Sequence, residues 1–290
     1  MFIQKKYLGL FVSFLFVFNL NAQELKLEEV VAKHTGSIGK TEKRKELKNM
    51  VLLGTSEFHS KLPERKSIGK VAIVSDASNL LMISSFVADS YPYEKIGIFD
   101  SKINIPFVNP GVRSPLGDFL WEHPSMLQSG LFSGSMSLQW LLLDSNSKKG
   151  KINLGGTKKI GGRKAFVIEH FPPGSSEAFK IRLFFDTETF HHVRSEYREE
   201  FAGKEATFGQ LGQSLNGYVL ELTETFSDFR EYEGITLPSV LKIHYMGSSS
   251  KGTYEYEDER VVMKGILKKC DKYYEILELP INTEILKFKE

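Results

Sequence analysis

The chain has 290 residues, with 38 lysines and arginines against 36 aspartates and glutamates. That balance gives no strong overall positive field to attract nucleic acid or an acidic lipid surface. A single cysteine, Cys270, excludes an intramolecular disulfide, so the fold must rest on its own core.

Residues 1–22, MFIQKKYLGLFVSFLFVFNLNA, place Lys5 and Lys6 before an apolar run and end on the small Ala22. This predicts a cleaved secretory signal and a mature chain starting near Gln23. An uncleaved anchor is the weaker alternative, because the run is short for a span and polar sequence follows at once. No cysteine lies at the cleavage point to carry a lipid. The expectation is a soluble periplasmic protein with one β-rich domain over residues 23–290, since such domains run to about 250 residues.

Leu27, Val30, Val31, His34 and Ile38 fall at helical spacing, with Gly36 and Gly39 limiting the run. A second, charged helix, TEKRKELKN, is expected with Thr41 as N-cap. His34 reads as a core-edge residue and not a ligand, because no Cys, Asp or second His stands at metal spacing beside it.

From Asn49 the pattern becomes short β-rich runs: MVLLGTSEF, KVAIVS, LLMISSFVA and KIGIF. A broken apolar segment, residues 113–144, interrupts them, and alternation resumes in AFVIEHF, AFKIRLFF, HHVRSEYREEF, GYVLELTETF, VLKIHYM and GTYEYEDERVVM. In AFKIRLFF one face carries Phe179, Ile181, Leu183 and Phe185, with Lys180 and Arg182 opposite. In GYVLELTETF one face carries Tyr218, Leu220, Leu222 and Phe226, with Glu221, Thr223 and Thr225 opposite. One face meets a core and the other meets water, as in antiparallel strands of a curved sheet or barrel. Asp186 to Thr189 and Glu231 to Gly234 read as turns, and the tail LELPINTEILKFKE reads as a last strand and an extended end.

Enzyme signatures fail. GTKKIGGR has the glycines of a P-loop, but Gly162 and Arg163 stand where Lys and Ser or Thr are required, so it reads as a turn. GQSLNG has one residue too many for a nucleophile elbow. His191 and His192 are adjacent and point to opposite faces of a strand, which separates them for metal binding. Glu255 with Glu257, and Glu221 with Glu224, read as solvated positions. No catalytic residue, metal or cofactor is expected, and the chain is read as a binding protein rather than an enzyme.

The binding signal lies in residues 113–144, RSPLGDFLWEHPSMLQSGLFSGSMSLQWLLLD. Pro115, Gly117, Pro124, Gly130 and Gly134 break it too often for a membrane span. Ser114 is expected to cap a helix with Pro115 in its first turn and Leu116, Phe119 and Leu120 on one face. Met126, Leu127, Leu131, Phe132, Met136, Trp140, Leu141 and Leu143 continue the apolar series. Such pieces either plug a barrel as core, or form a lid hinged at the glycines over a cavity.

KHTGSIG, RSPLGDFLW, FDTETFHHVRSEYR, FSDFREYEGITLP and LPINTEILKF, in that order, resemble the exported outer-membrane lipoprotein-sorting proteins, the LolA/LolB-like group. The resemblance implies a half-open antiparallel β-barrel of about eleven strands, apolar on its concave face and covered by short lid helices. It also implies a monomeric carrier or sensor of lipoprotein acyl chains or other amphiphiles, with envelope proteins as donor and acceptor. In such carriers an arginine inside the barrel holds the lid, and Arg113 and Arg182 are the candidates here. The ligand-binding residues expected are Leu116, Phe119, Leu120, Phe132, Trp140 and Leu141 of the lid, facing Phe179, Ile181, Leu183, Tyr218, Leu220 and Leu222 of the strands. The competing function is a protein-interaction module in which the same lid is permanently closed core.

Overall fold

A computed structural model describes residues 25–61, 64–87, 92–143, 150–201, 218–249 and 252–261. The expected signal, the GQSLNG run, Cys270 and the terminal LPINTEILKF lie outside them. Two helices come first, α1 (Leu27–Ile38) and α2 (Thr41–Glu46). Strands β1 (Asn49–Lys61), β2 (Glu64–Asp76), β3 (Leu80–Phe86), β4 (Tyr93–Phe99) and β5 (Lys102–Asn104) follow as a meander. The central segment contains α3 (Pro115–Glu122), α4 (Ser125–Gln128) and two 3-10 turns, Gly134–Met136 and Leu141–Leu143. A second meander comprises β6 (Lys151–Ile160), β7 (Arg163–Phe171), β8 (Phe179–Asp186), β9 (His192–Phe201), β10 (Tyr218–Tyr232), β11 (Ile235–Ser249) and β12 (Gly252–Val261).

The twelve strands of the described residues join one antiparallel sheet in the order β5-β4-β3-β2-β1-β12-β11-β10-β9-β8-β7-β6. The two meanders meet where β1 pairs with β12, for example Phe58 with Asp258. The outermost strands, β5 and β6, do not pair with each other, so the barrel is half open. This is the architecture the sequence predicts. It also dictates the path of the central segment, which joins β5 to β6 and must therefore cross from one edge of the sheet to the other.

The alternation places side chains as expected on β8, where Phe179, Ile181, Leu183 and Phe185 join one core cluster with Leu116, Phe119, Leu120, Phe132 and Trp140. The opposite face carries a small separate cluster of Ala165, Val167 and Phe184. On β2 the run Val71 to Val74 is fully buried, so both faces of that strand are covered and the one-face pattern does not extend to it.

Turn chemistry closes the hairpins. Gly161 and Gly162, at φ +55° and +84°, link Ile160 to its partner Arg163, which makes GTKKIGGR an edge strand running into a tight turn. Glu233 and Gly234, at φ +52° and +86°, do the same between β10 and β11. Asp186 Oδ1 accepts from the backbone N–H groups of Glu188 and Thr189, each at 2.9 Å, and so fixes the expected turn before β9. Two details differ from expectation. Lys40, not Thr41, is the N-cap of α2, and β5 and β6 are strands that the sequence pattern does not mark, since β6 is an exposed edge without clean alternation.

Candidate functional site

The central segment lies as a closed cover on the concave face. Ser114 caps α3, its Oγ accepting from Gly117 N at 2.8 Å with Pro115 in the first turn. Leu116, Phe119 and Leu120 of α3, Met126 and Leu127 of α4, and Leu131, Phe132, Met136, Trp140 and Leu141 beyond are each no more than 2% exposed. At about 2 kcal/mol per large side chain, exposing all of them would cost on the order of 20 kcal/mol. That gross burial opposes a lid swinging clear as a unit, although the chain entropy regained on release would offset part of it. The packing favours the core reading for α3, α4 and the first 3-10 turn.

Buried polar contacts stitch this cover to the sheet. Glu224 on β10 accepts the backbone N–H of Ser133 at 2.8 Å through Oε1 and the Tyr197 hydroxyl at 2.9 Å through Oε2. The same hydroxyl is 3.2 Å from Leu131 O. Burial and the neighbouring Glu224 carboxylate push the Tyr197 phenol well above its usual pKa, which keeps the donor protonated. Ser114 Oγ donates to Glu94 Oε2 of β4 at 2.5 Å, and Leu138 N donates to Ser75 Oγ of β2 at 3.0 Å. The backbone must pass close to the sheet to make these contacts. At Gly134, φ +48°, an added Cβ would fall 2.7 Å from His192 Nδ1 and 2.8 Å from Phe226 Cζ.

Histidines carry the rest of the seam. Trp140 Nε1 donates to His34 Nε2 at 2.9 Å, and His34 Nδ1 is 2.9 Å from Phe190 O. An indole N–H only donates, so His34 must be neutral with its proton on Nδ1. Burial lowers its pKa to about 4, consistent with that state. His192 stacks on Trp140 at 4.5 Å, its Nε2 2.9 Å from Arg194 O, and burial holds it well below the usual imidazole range. His123 stacks on Phe179 at 4.1 Å with its Nε2 3.3 Å from Glu199 Oε2. Burial lowers His123 to about 4 and raises Glu199.

The arginine candidates separate. Arg113 Nε donates to Ile105 O at 2.8 Å, and its guanidinium lies 4.4 Å from the Phe107 ring and 4.1 Å from Trp121, which ties the start of α3 to the end of the first meander. Arg182 pairs with Glu196 at 3.0 Å on the face of β8 away from the cover. Glu224, read from sequence as solvated, is fully buried. Its signal was available: at position 224 it is in phase with Leu220, Leu222 and Phe226. His192 reaches the same interior because a bulge between Phe184 and Phe185 shifts the β8–β9 register.

Beside this packed seam is open space. A cleft of about 960 Å³ is bounded by Leu27, Val31 and Ile38 of α1, Leu47 and Met50 at the start of β1, the Leu138 to Leu143 end of the cover, Ile152 of β6, and Ile235 and Leu237 of β11. Of the twelve residues expected to bind ligand, Leu141 lines it. Leu116, Phe119, Leu120, Phe132, Trp140, Phe179, Ile181, Leu183 and Leu222 are buried in the core, and Leu220 packs against that core half-buried. Tyr218 pairs through its backbone with Phe201 and Ser249, and its side chain lies outside the described residues. Among the described residues no group of three His, Cys, Asp or Glu is placed to hold a metal ion, and no helix is long and apolar enough to cross a membrane.

No family model matches the chain, and no curated protein matches its sequence. Among solved structures it is similar to a domain from Vibrio parahaemolyticus provisionally described as an outer membrane lipoprotein-sorting protein, at 10% identity and TM-score 0.43 over 86% of this chain and 96% of that one. It is also similar to a LolA superfamily protein from Nitrosomonas europaea, at 12% identity and TM-score 0.41 over 83% and 94%. A DUF1329 family protein from Desulfovibrio piger matches at 8% identity and TM-score 0.35 over 86% and 97%. With TM-scores of 0.35 to 0.43, these likenesses carry no conclusion about what this chain binds or does.

Proposed function

We propose that the protein is a periplasmic carrier or sensor that takes the acyl chain of a lipoprotein, lipid or other amphiphile into the cleft beside α1, with outer-membrane lipoprotein sorting as its specific role. The observation that carries this reading is the cleft itself. Its volume of about 960 Å³ lies within the range of ligand pockets, about 300–1,000 Å³. Its walls are mainly aliphatic, and each methylene buried there would contribute about 0.8 kcal/mol. Access does not require the cover to lift. The end of the cover at Leu141 to Leu143 and the α1 face of Leu27 and Val31 are the parts that would adjust. In this reading the residues of α3, β8 and β10 support the site from behind, and Leu141 touches the ligand.

The packed cover favours a second reading, a protein-interaction module docking an envelope partner's segment in the same cleft. Native mass spectrometry of protein purified from an envelope extract separates them. A co-purified lipid supports the carrier. A bound peptide with no lipid, together with failure of every acyl probe to bind, overturns it.

A further inference from the structure

The rim of the cleft is charged on one side. Arg44 and Lys45 of α2 and Lys48 just beyond it are among the lining residues, and Glu28 of α1 is the acidic residue among them. The three cations differ in what they already do. Arg44 Nε donates to Gly39 O at 3.0 Å and its Nη2 is 3.3 Å from Thr41 Oγ1, which holds it against the α1–α2 junction. The neighbouring Lys43 is satisfied by Glu46 at 2.9 Å. Lys45 and Lys48 are exposed, and neither makes an ion pair with a carboxylate of the described residues. Two ammonium groups with no carboxylate partner among the described residues thus line the same cleft as Leu47, Met50, Leu141 and Leu142.

We infer that the cleft selects an amphiphile with an anionic head, a carboxylate or phosphate joined to an acyl chain, the chain lying along these apolar residues and the head at Lys45 and Lys48. This rests on the acyl-chain reading above and adds the head-group chemistry to it. A free inorganic anion would leave the apolar lining uncovered, and a neutral lipid would leave both lysines unused. An anionic head at these exposed lysines remains largely hydrated, so it gains attraction without the desolvation that penalises a buried ion pair. Two exposed pairs of this kind amount to about tenfold in affinity, an effect that salt should weaken.

The test is fluorescence titration of the full protein with probes that share one labelled chain and differ only in the head: carboxylate, phosphate monoester or alcohol. Inorganic phosphate alone is the fourth ligand. Wild-type protein is expected to bind both anionic probes about tenfold more tightly than the alcohol, and high salt should close the gap. The double variant Lys45→Gln/Lys48→Gln should also close it, with an unchanged far-ultraviolet circular dichroism spectrum as the control for folding. Equal affinity for all three heads in wild-type protein would overturn the head-group inference and leave acyl-chain binding standing. A gap that persists in the double variant would overturn the assignment to these lysines. Inorganic phosphate binding as tightly as the probes would show an anion site, not an amphiphile site. No binding of any acyl probe would remove the carrier reading and this inference together.

Discussion

Glu224 on β10 reaches across the sheet's interior to accept the backbone N–H of Ser133 at 2.8 Å, so a single carboxylate fixes the covering segment at its middle. The second carboxylate oxygen takes the Tyr197 hydroxyl at 2.9 Å. Glu224→Ala would leave the Ser133 N–H buried without an acceptor, at about 1–3 kcal/mol, and would leave the Tyr197 hydroxyl to the Leu131 carbonyl at 3.2 Å. Urea unfolding should show the loss. In a double-mutant cycle with Tyr197→Phe the two effects should be clearly non-additive, and strict additivity would mean that the two side chains act independently.

Acid should destabilise the seam. His34 and His123 have pKa values lowered to about 4, so between that value and the ordinary imidazole value the unfolded chain binds more protons than the folded one. Stability therefore falls as pH drops below about 6.5. For His34, fully buried, the loss amounts to about 3 kcal/mol by the time its folded value is reached. Glu199, whose carboxyl is raised by burial, acts in the opposite sense and offsets part of the loss. Thermal melts from pH 7 to pH 4 should show the decline, reduced in His34→Gln. An unchanged slope in that variant would remove His34 from the account.

Replacing Gly134 tests how closely the cover approaches the sheet. A Cβ there meets His192 and Phe226 at under 3 Å, and the position has φ +48°, so Gly134→Ala should cost about 1–3 kcal/mol. Chemical denaturation measures this directly. A neutral substitution would mean that the His192 ring moves aside freely.

Phe119→Ala distinguishes core from hinged lid. Phe119 is 1% exposed and its ring centroid lies 5.5 Å from that of Tyr245. Truncation should cost about 3–5 kcal/mol in stability, measured by urea titration. A hinged lid would give normal global stability with faster ligand release.

Val31→Glu tests the cleft. Val31 is a half-buried residue on the cleft face of α1, so a charge there can remain near water and should change stability little, while lowering affinity for an acyl-chain probe at least about tenfold. The matching charge at Leu220, away from the cleft lining, should leave the site itself intact and act through stability. If Leu220→Glu abolished binding in a fully folded protein and Val31→Glu did not, the ligand would lie under the cover instead.

Much of this architecture is legible in the sequence for one physical reason: the side-chain period of a strand is two. Phe179, Ile181, Leu183 and Phe185 had to share a face of a strand, a direct consequence of backbone geometry, and Ser114-Pro115 favours a helix start because Ser can cap and Pro suits the first turn. The helical interruption between two β meanders was equally visible. What the tertiary structure decided is everything that depends on which strands become neighbours. Pairing of β1 with β12 puts β5 and β6 at opposite edges, which sends the covering segment across the whole sheet. A register shift between β8 and β9 turns His192 inward. Glu224 stands in phase with an apolar row, yet its burial depends on Ser133 and Tyr197, distant in sequence, arriving to satisfy it. The cleft is likewise a gap among α1, α2, β1, β6, β11 and the end of the cover. No local pattern encodes it, because empty space belongs to the packing of distant elements and to no single segment of chain.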